Sequence, residues 1–180
     1  MSRISGVTIG LVKSLDDPEG LGRVQLTFPW MSEDEPESNW ARIAVPMAGA
    51  ERGMQFMPEV GDEVLVAFEQ GELRLPYVLG GLWNGEDKPP RDDPKLRTIQ
   101  TVSGHVLEFD DTGGSEKISL LFKGDLPSIV LEADSVGIKL SASTLITMDS
   151  SSLTIQFDGG NSITLSSSGV KVSGTKIELN

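Results

Sequence analysis

Large apolar residues alternate with polar ones in short stretches along most of the chain. In Arg23–Phe28 the residues Val24, Leu26 and Phe28 alternate with polar neighbours, and Leu153–Phe157 repeats the pattern near the carboxyl terminus. A period of two is typical of strands with one buried face, and the Gly-, Pro-, Asp- and Ser-rich segments between the stretches are typical of turns. The pattern predicts an all-β protein.

The first part of the chain, residues 1–85, predicts a small closed barrel. Five short strands joined by tight turns most often form an OB-fold barrel. The candidate strands are Val7–Val12, Arg23–Phe28, Ala41–Val45, Glu63–Phe68 and Leu75–Gly80. The three tryptophans, Trp30, Trp40 and Trp83, lie in or just beyond this part, and we assign them to the barrel core and to a subunit interface.

Residues 86–96 differ in composition from both of their flanks. They are dense in charge and proline, and the adjacent Pro89 and Pro90 favour an extended backbone. We therefore predict a connector between two units, the OB domain and a second unit over residues 97–180.

The second unit repeats short apolar clusters without an intervening helix. After Pro127 the clusters recur about every 8 residues, with first members Ile129, Val136, Leu145, Leu153, Ile163, Val170 and Ile177. A single-chain β-solenoid would have only about two coils in this length, fewer than the three or so repeats that such stacks need. We therefore favour an intertwined trimer. In such a trimer, neighbouring chains complete the strand edges and apolar residues point to a shared axis. Its predicted core is Ile129, Leu131, Ile138, Leu153, Ile155, Ile163, Leu165, Val170, Val172, Ile177 and Leu179.

Charge and cysteine content exclude several functions. The 27 acidic and 15 basic residues give a formal charge of −12, which repels a phosphate backbone, so nucleic acid is not an expected partner. Cysteine is absent, which rules out thiol catalysis and cysteine-based zinc sites. Neither a signal peptide nor an apolar run of membrane-spanning length is evident, so the chain is expected to be made in the cytoplasm.

One polar cluster invites a catalytic interpretation, since His105 is close in sequence to Glu108, Asp110 and Asp111. In a strand, adjacent residues point to opposite faces, so these side chains do not converge by spacing. We predict no catalytic residue, no metal site and no cofactor, and we interpret the cluster as shaping the first turn of the second unit.

Five segments in order resemble the spike proteins of contractile injection machines, namely the baseplate assembly protein V of contractile phages and the VgrG tip proteins of type VI secretion. The matching segments are Gly22–Trp30, Trp40–Pro46, Gly53–Phe68, Pro76–Gly85 and Ser103–Gly113. The resemblance implies an OB-fold domain followed by a triple-stranded β-helix, a homotrimeric needle that is driven into a target envelope. It also implies assembly into a virion or injector baseplate and delivery to or through the target cell envelope.

Departures from the family pattern imply partners. No hub domain precedes the barrel, which implies a separate hub or baseplate protein at the OB end, and the connector is too short for the enzyme domain that one phage relative carries. The only histidine, His105, lies far from the end, so the metal-capped apex of some phage spikes is not expected. The terminal residues Ile177, Glu178, Leu179 and Asn180 are instead predicted to bind a separate PAAR-like tip protein.

Two other functional classes stay open at this stage. The first is an OB-type module that binds carbohydrate or oligonucleotides and carries a β-rich oligomerisation tail. The second is a β-helical polysaccharide-degrading enzyme, whose turnover would depend on Glu108, Asp110 or Asp111.

Overall fold

The computed structural model describes residues 4–31, 38–141, 143–157 and 160–176. The chain divides into two compact units, Met1–Lys88 and Pro89–Asn180. Both are built from strands, as the alternation predicts, so the all-β class is confirmed.

The first unit is a closed barrel. Its strands are β1 (Val7–Ser14), β2 (Gln25–Thr27), β3 (Arg42–Ile43), β4 (Ala48–Gly49), β5 (Arg52–Gly53), β6 (Glu63–Phe68) and β7 (Pro76–Gly81). Five of them form one sheet in the order β2-β1-β6-β7-β3, while β4 and β5 form a separate hairpin that the sequence did not reveal. Val24 and Ala41, adjacent to β2 and β3, exchange two backbone hydrogen bonds and so close the barrel.

Alternate residues of the barrel strands form the core. Along β6, Val64, Val66 and Phe68 are buried while their neighbours are half-buried. The full buried set is Val12, Val24, Leu26, Phe28, Ala41, Val64, Val66, Phe68 and Val78. The barrel-core assignment is wrong for Trp30 and Trp83, which are 52% and 65% exposed. The core is filled by the smaller side chains of the buried set, and Trp30 only packs its ring against Phe28.

A loop between β1 and β2 is organised around one carboxylate. Asp17 accepts hydrogen bonds from the backbone N–H groups of Glu19, Leu21 and Arg23, and its two oxygens receive the Arg23 guanidinium at 3.0 and 2.6 Å. Only 3% of the Asp17 side chain is exposed. The arginine, followed by the backbone donors, lowers the pKa of Asp17 far below its ordinary value.

The Asp17 loop makes the stability of the barrel pH-dependent. Because the folded pKa is depressed, the stabilising contribution is present above the ordinary carboxyl pKa of 3.8 and is lost as the pH falls below it. We expect Asp17→Asn to lower the urea midpoint at pH 7 and to flatten the decline of that midpoint below pH 4. The exposed neighbour variant Asp16→Asn should leave both unchanged, and equal acid profiles for the wild type and Asp17→Asn would contradict this role.

The second unit is an antiparallel meander of nine strands. They are β8 (Leu96–Gln100), β9 (Val106–Asp110), β10 (Lys117–Leu121), β11 (Ser128–Glu132), β12 (Ser135–Lys139), β13 (Leu145–Asp149), β14 (Ser152–Phe157), β15 (Asn161–Ser166) and β16 (Gly169–Ser173). Each strand pairs with its neighbours in sequence. The predicted clusters that begin at Ile129, Val136, Leu145, Leu153, Ile163 and Val170 each fall on one strand, β11 to β16 in order; the seventh, Ile177, lies outside the described residues.

The pairing differs from the expected intertwined arrangement. The strand ladders of β8 to β16 are completed within one chain, because short turns return each strand alongside the preceding one, whereas neighbouring chains were expected to complete the strand edges. The antiparallel order also differs from the coil of a single-chain solenoid. The triple-stranded β-helix therefore stays a prediction, and the surfaces left for association of copies are the two faces of this sheet and the outer edges of β8 and β16.

Candidate functional site

One face of the nine-stranded sheet carries two continuous rows of apolar side chains. Residues paired directly across antiparallel strands share a face, so the strand register defines the rows. The first row is Leu107, Leu120, Ile129, Ile138, Ile146, Ile155, Ile163 and Val172. The second row is Phe109, Ile118, Leu131, Val136, Met148, Leu153, Leu165 and Val170. We call these two rows the apolar face.

The apolar face is open to solvent in a single copy. Ile129 is 37% exposed, Ile155 43% and Val170 69%. Exposure is greatest at Val170 on β16, where the strand has a neighbour on one side only. A large apolar side chain on a folded strand would normally be covered, so the exposure indicates a surface that is buried in an assembly.

The dimensions of the apolar face suit a protein–protein interface. Eight strands, β9 to β16, spaced about 4.8 Å apart and each of about five residues at about 3.3 Å per residue, give a face of roughly 40 by 15 Å. A plane of this size is at the upper end of the roughly 300–600 Å² apolar patches that monomers expose.

The opposite face is mostly polar, and its side chains make their own contacts. Thr154 and Thr164 approach within 3.3 Å through their hydroxyls, and Lys117 Nζ lies 3.6 Å from Asp110. Near β9 to β11 this face is partly covered, since Val106, Ser119 and Ser128 are buried. The polar side chains of one face therefore find partners within the chain, whereas the apolar side chains of the other face are left uncovered.

The predicted needle-core residues share the apolar face as far as the structure describes them. Ile129, Leu131, Ile138, Leu153, Ile155, Ile163, Leu165, Val170 and Val172 all belong to its two rows. Ile177 and Leu179, together with Glu178 and Asn180 of the predicted tip interface, lie outside the described residues. Their roles in a trimer and at a tip stay predictions.

The sequence reasoning missed part of the same face. Leu107, Phe109, Ile118 and Leu120 extend both rows into β9 and β10, and Val136, Ile146 and Met148 fill the rows in between. The signal was the same alternation, which is already present before Pro127 in Val106–Asp110 and Lys117–Leu121.

The polar cluster at β9 does not converge. Glu108 accepts hydrogen bonds from Arg91 Nε at 2.7 Å and from the Thr98 hydroxyl at 3.0 Å. A hydrogen bond from the Thr112 side chain, followed by the Thr112 backbone N–H and the charge of Lys117, lowers the pKa of Asp110. Asp111 pairs with Arg97 instead. The side chains therefore have separate partners, each consistent with a structural role.

His105 lies apart from these acids and makes a different set of contacts. Its ring centroid is 4.3 Å from that of Phe122, and its Nδ1 accepts the backbone N–H of Lys123 at 3.3 Å. Within residues 4–31, 38–141, 143–157 and 160–176, no three His, Cys, Asp or Glu residues are grouped so that they could hold a metal ion. The same described residues contain no helix long and apolar enough to cross a membrane.

A family model matches the barrel. Residues 8–83 match the model of the type VI secretion system/phage-baseplate injector OB domain. Over this stretch the chain is similar to injector OB domains. The match covers the barrel from β1 to just past β7, so the predicted OB fold is confirmed.

Spike proteins of type VI secretion are similar over a longer stretch. The type VI secretion system spike protein VgrG3 of Vibrio cholerae is 32% identical over 123 residues, which are 62% of this chain and 12% of the relative. The spike protein VgrG2a of Pseudomonas aeruginosa is 31% identical over 111 residues, 56% of this chain and 13% of the relative. A third relative, the actin cross-linking toxin VgrG1 of Vibrio cholerae, is 30% identical over 120 residues, 61% of this chain and 11% of the relative. The chain thus matches only about an eighth of the length of these proteins.

Proposed function

We propose that the chain is a structural component of the central spike of a contractile injector, in which three copies form a needle. The single observation that carries this proposal is the apolar face of β9 to β16, in a chain that carries an injector OB domain before it. Three sheets with their apolar faces turned to one axis would make a triangular prism with a dry interior. Their polar faces, rich in Ser, Thr and Lys, would point to water.

The proposed mechanism is mechanical. Each sheet is one uninterrupted ladder of backbone hydrogen bonds, and the joined inner faces would resist separation of the copies. Such a prism transmits an axial load along its length. We infer that it pierces the target envelope when the surrounding machine contracts.

Two partners complete the proposal. The OB domain docks on a separate hub or baseplate protein, and the end beyond β16 carries a PAAR-like tip protein. The spike is assembled in the producing cell. Because it pierces the target envelope, it is then delivered to or through that envelope. The resemblance to spike proteins and the position of the injector OB domain support this arrangement.

We propose that this stretch of chain has no enzymatic role of its own. One relative is named an actin cross-linking toxin, but the matched segment is 11% of that protein. The separate partners of Glu108, Asp110 and Asp111 support the structural interpretation over polysaccharide cleavage.

Complementation of the producing injector tests the proposed function. In a strain that lacks this gene, the wild-type chain is expected to restore complete particles with a central spike, as counted by electron microscopy. Val172→Asp, on the apolar face of β16, should fail to restore them, because it would place a carboxylate from each of three copies near one axis. Ser173→Asp adds the same charge to the opposite face and serves as the matched control. Spike-containing particles at equal yield with and without the gene would overturn the proposal.

A further inference from the structure

The ends of the strands form the two long sides of the nine-stranded sheet, and these sides carry different side chains. At one edge, the positions that continue the apolar face beyond its first row are His105, Phe122, Pro127, Leu140, Thr144, Phe157, Asn161 and Gly174, and all of these except Thr144, Asn161 and Gly174 are aromatic or aliphatic. We call this set the aromatic margin. Phe122 is 46% exposed, Leu140 58% and Phe157 59%. The margin therefore widens the apolar face on this side by side chains that one copy leaves uncovered.

The opposite edge ends the apolar face abruptly. The positions that continue the second row are Asp111, Glu116, Ala133, Asp134, Ser150, Ser151, Ser167 and Ser168. We call this set the acidic margin. All eight members are exposed, and Asp111 pairs with Arg97. The apolar surface of the sheet is consequently off-centre, displaced towards the aromatic margin.

A pocket marks the start of the aromatic margin. Its volume is about 400 Å³, and four margin residues, His105, Phe122, Pro127 and Leu140, line it together with Leu120, Ile129 and Ile138 of the apolar face. The rings of His105 and Phe122 form one wall. An open pocket of this composition is suited to apolar side chains rather than to a charged ligand.

We propose that the occupant of the aromatic margin is a neighbouring copy of this chain, and that each sheet inserts this margin beneath the next sheet while its acidic margin stays in water. The inference rests on the proposed trimer and adds the direction in which its sheets overlap. The size of the apolar face, at the upper end of the apolar patches that monomers expose, supports a second copy as the occupant.

Symmetry favours a head-to-tail ring over a two-fold pair. In a face-to-face pair whose two-fold axis is parallel to the strands, the acidic margins of the two copies contact each other. If the two-fold axis instead runs along the length of the sheet, the acidic margin of each copy contacts the aromatic margin of the other. Both bury carboxylates such as Asp134 and Glu116 without a counter-charge, which is costly. In a closed three-fold ring each aromatic margin meets the neighbouring sheet, and the acidic margins face outward.

Thiol labelling tests the direction of overlap, because the chain has no cysteine. The single-cysteine variants Leu140→Cys and Ser150→Cys place one thiol on each margin, at neighbouring strands and at positions that are exposed in one copy. We expect a fluorescent maleimide to react with Leu140→Cys about ten-fold more slowly than with Ser150→Cys in the native protein, because reactivity follows access to the thiol. Both should react at the same rate in denaturant. Phe157→Cys and Ser167→Cys form a second pair, decisive if Leu140→Cys does not assemble.

The mass of each sample in solution, measured alongside labelling, separates two failures. A trimer whose two margins react at equal rates, or whose acidic margin is the protected one, overturns the overlap and leaves the proposed spike intact. A wild-type protein with the mass of one chain overturns the trimer and the overlap with it. Slow labelling of both aromatic-margin variants within a trimer supports the inference.

Discussion

Ile155→Asp is expected to convert the protein to a folded monomer. Ile155 is in the first row of the apolar face on β14, with Ile146 and Ile163 opposite it on the neighbouring strands. Three inward carboxylates near one axis would lack a counter-charge, and the desolvation of a buried charge costs several kcal/mol per ion. In a single copy the residue is 43% exposed, so the same carboxylate is tolerated there.

The matched control for Ile155→Asp is Gln156→Asp, because Gln156 is the next residue on β14 and points to the opposite face. Light scattering should give the wild-type mass for Gln156→Asp and one-third of it for Ile155→Asp, with strand content by circular dichroism unchanged in both. A trimeric Ile155→Asp would place the apolar face outside the interface. An unfolded Ile155→Asp would show that the sheet is not stable without its partners, and the loss of mass would then coincide with loss of strand content.

Leu26→Ala is expected to cause the largest loss of stability within the barrel. Leu26 is fully buried, its backbone N–H donates to the Ser38 hydroxyl, and its side chain packs among the core residues of β1, β6 and β7. Removal of a buried leucine side chain costs about 2–5 kcal/mol, because it forfeits transfer energy and leaves a cavity. Urea unfolding, followed by tryptophan fluorescence, measures this difference directly.

Leu21→Ala is the control for Leu26→Ala, since the same side chain is removed from a position that is 64% exposed. Its free energy of unfolding should stay within about 0.5 kcal/mol of the wild type. The mass of Leu26→Ala at low urea should match that of the wild type, because the apolar face belongs to the other unit. A Leu26→Ala variant as stable as Leu21→Ala would contradict the assignment of the barrel core.

The strands could be predicted from the sequence because their signal is local. Alternation placed Glu63–Phe68 with the same bounds as β6, and each described cluster after Pro127 fell on one strand. The bounds were less accurate where the barrel closes. Ala41–Val45 reduces to Arg42–Ile43, since the strand pairs with β7 over two residues only, and the β4–β5 hairpin contains mostly small and polar residues that give no alternation.

Pairing partners were harder to predict than strands. Alternation fixes which side chains share a face, and it correctly grouped residues such as Ile155 and Ile163, but it is the same whether a strand pairs within its chain or with another chain. The barrel-core prediction for Trp30 and Trp83 was wrong for a different reason. Residue type alone suggested burial, whereas the narrow barrel is filled by Val, Leu and Phe, and Trp83 follows β7 at the barrel surface.

The asymmetry of the margins was present in the sequence but required the topology to become visible. Phe122, Leu140 and Phe157 are far apart along the chain, and only the meander brings them to one edge. The serines and acids of the other edge likewise come from alternate turns. A surface assembled from turns cannot be recognised before the strand order is known.

The mass of the purified wild-type chain in solution tests the central claim most directly. Light scattering coupled to size exclusion, over a hundred-fold range of concentration, should give a constant mass near three times the 19.3 kDa of one chain. A constant mass of 19.3 kDa, with the apolar face left open to water, would contradict the proposed needle.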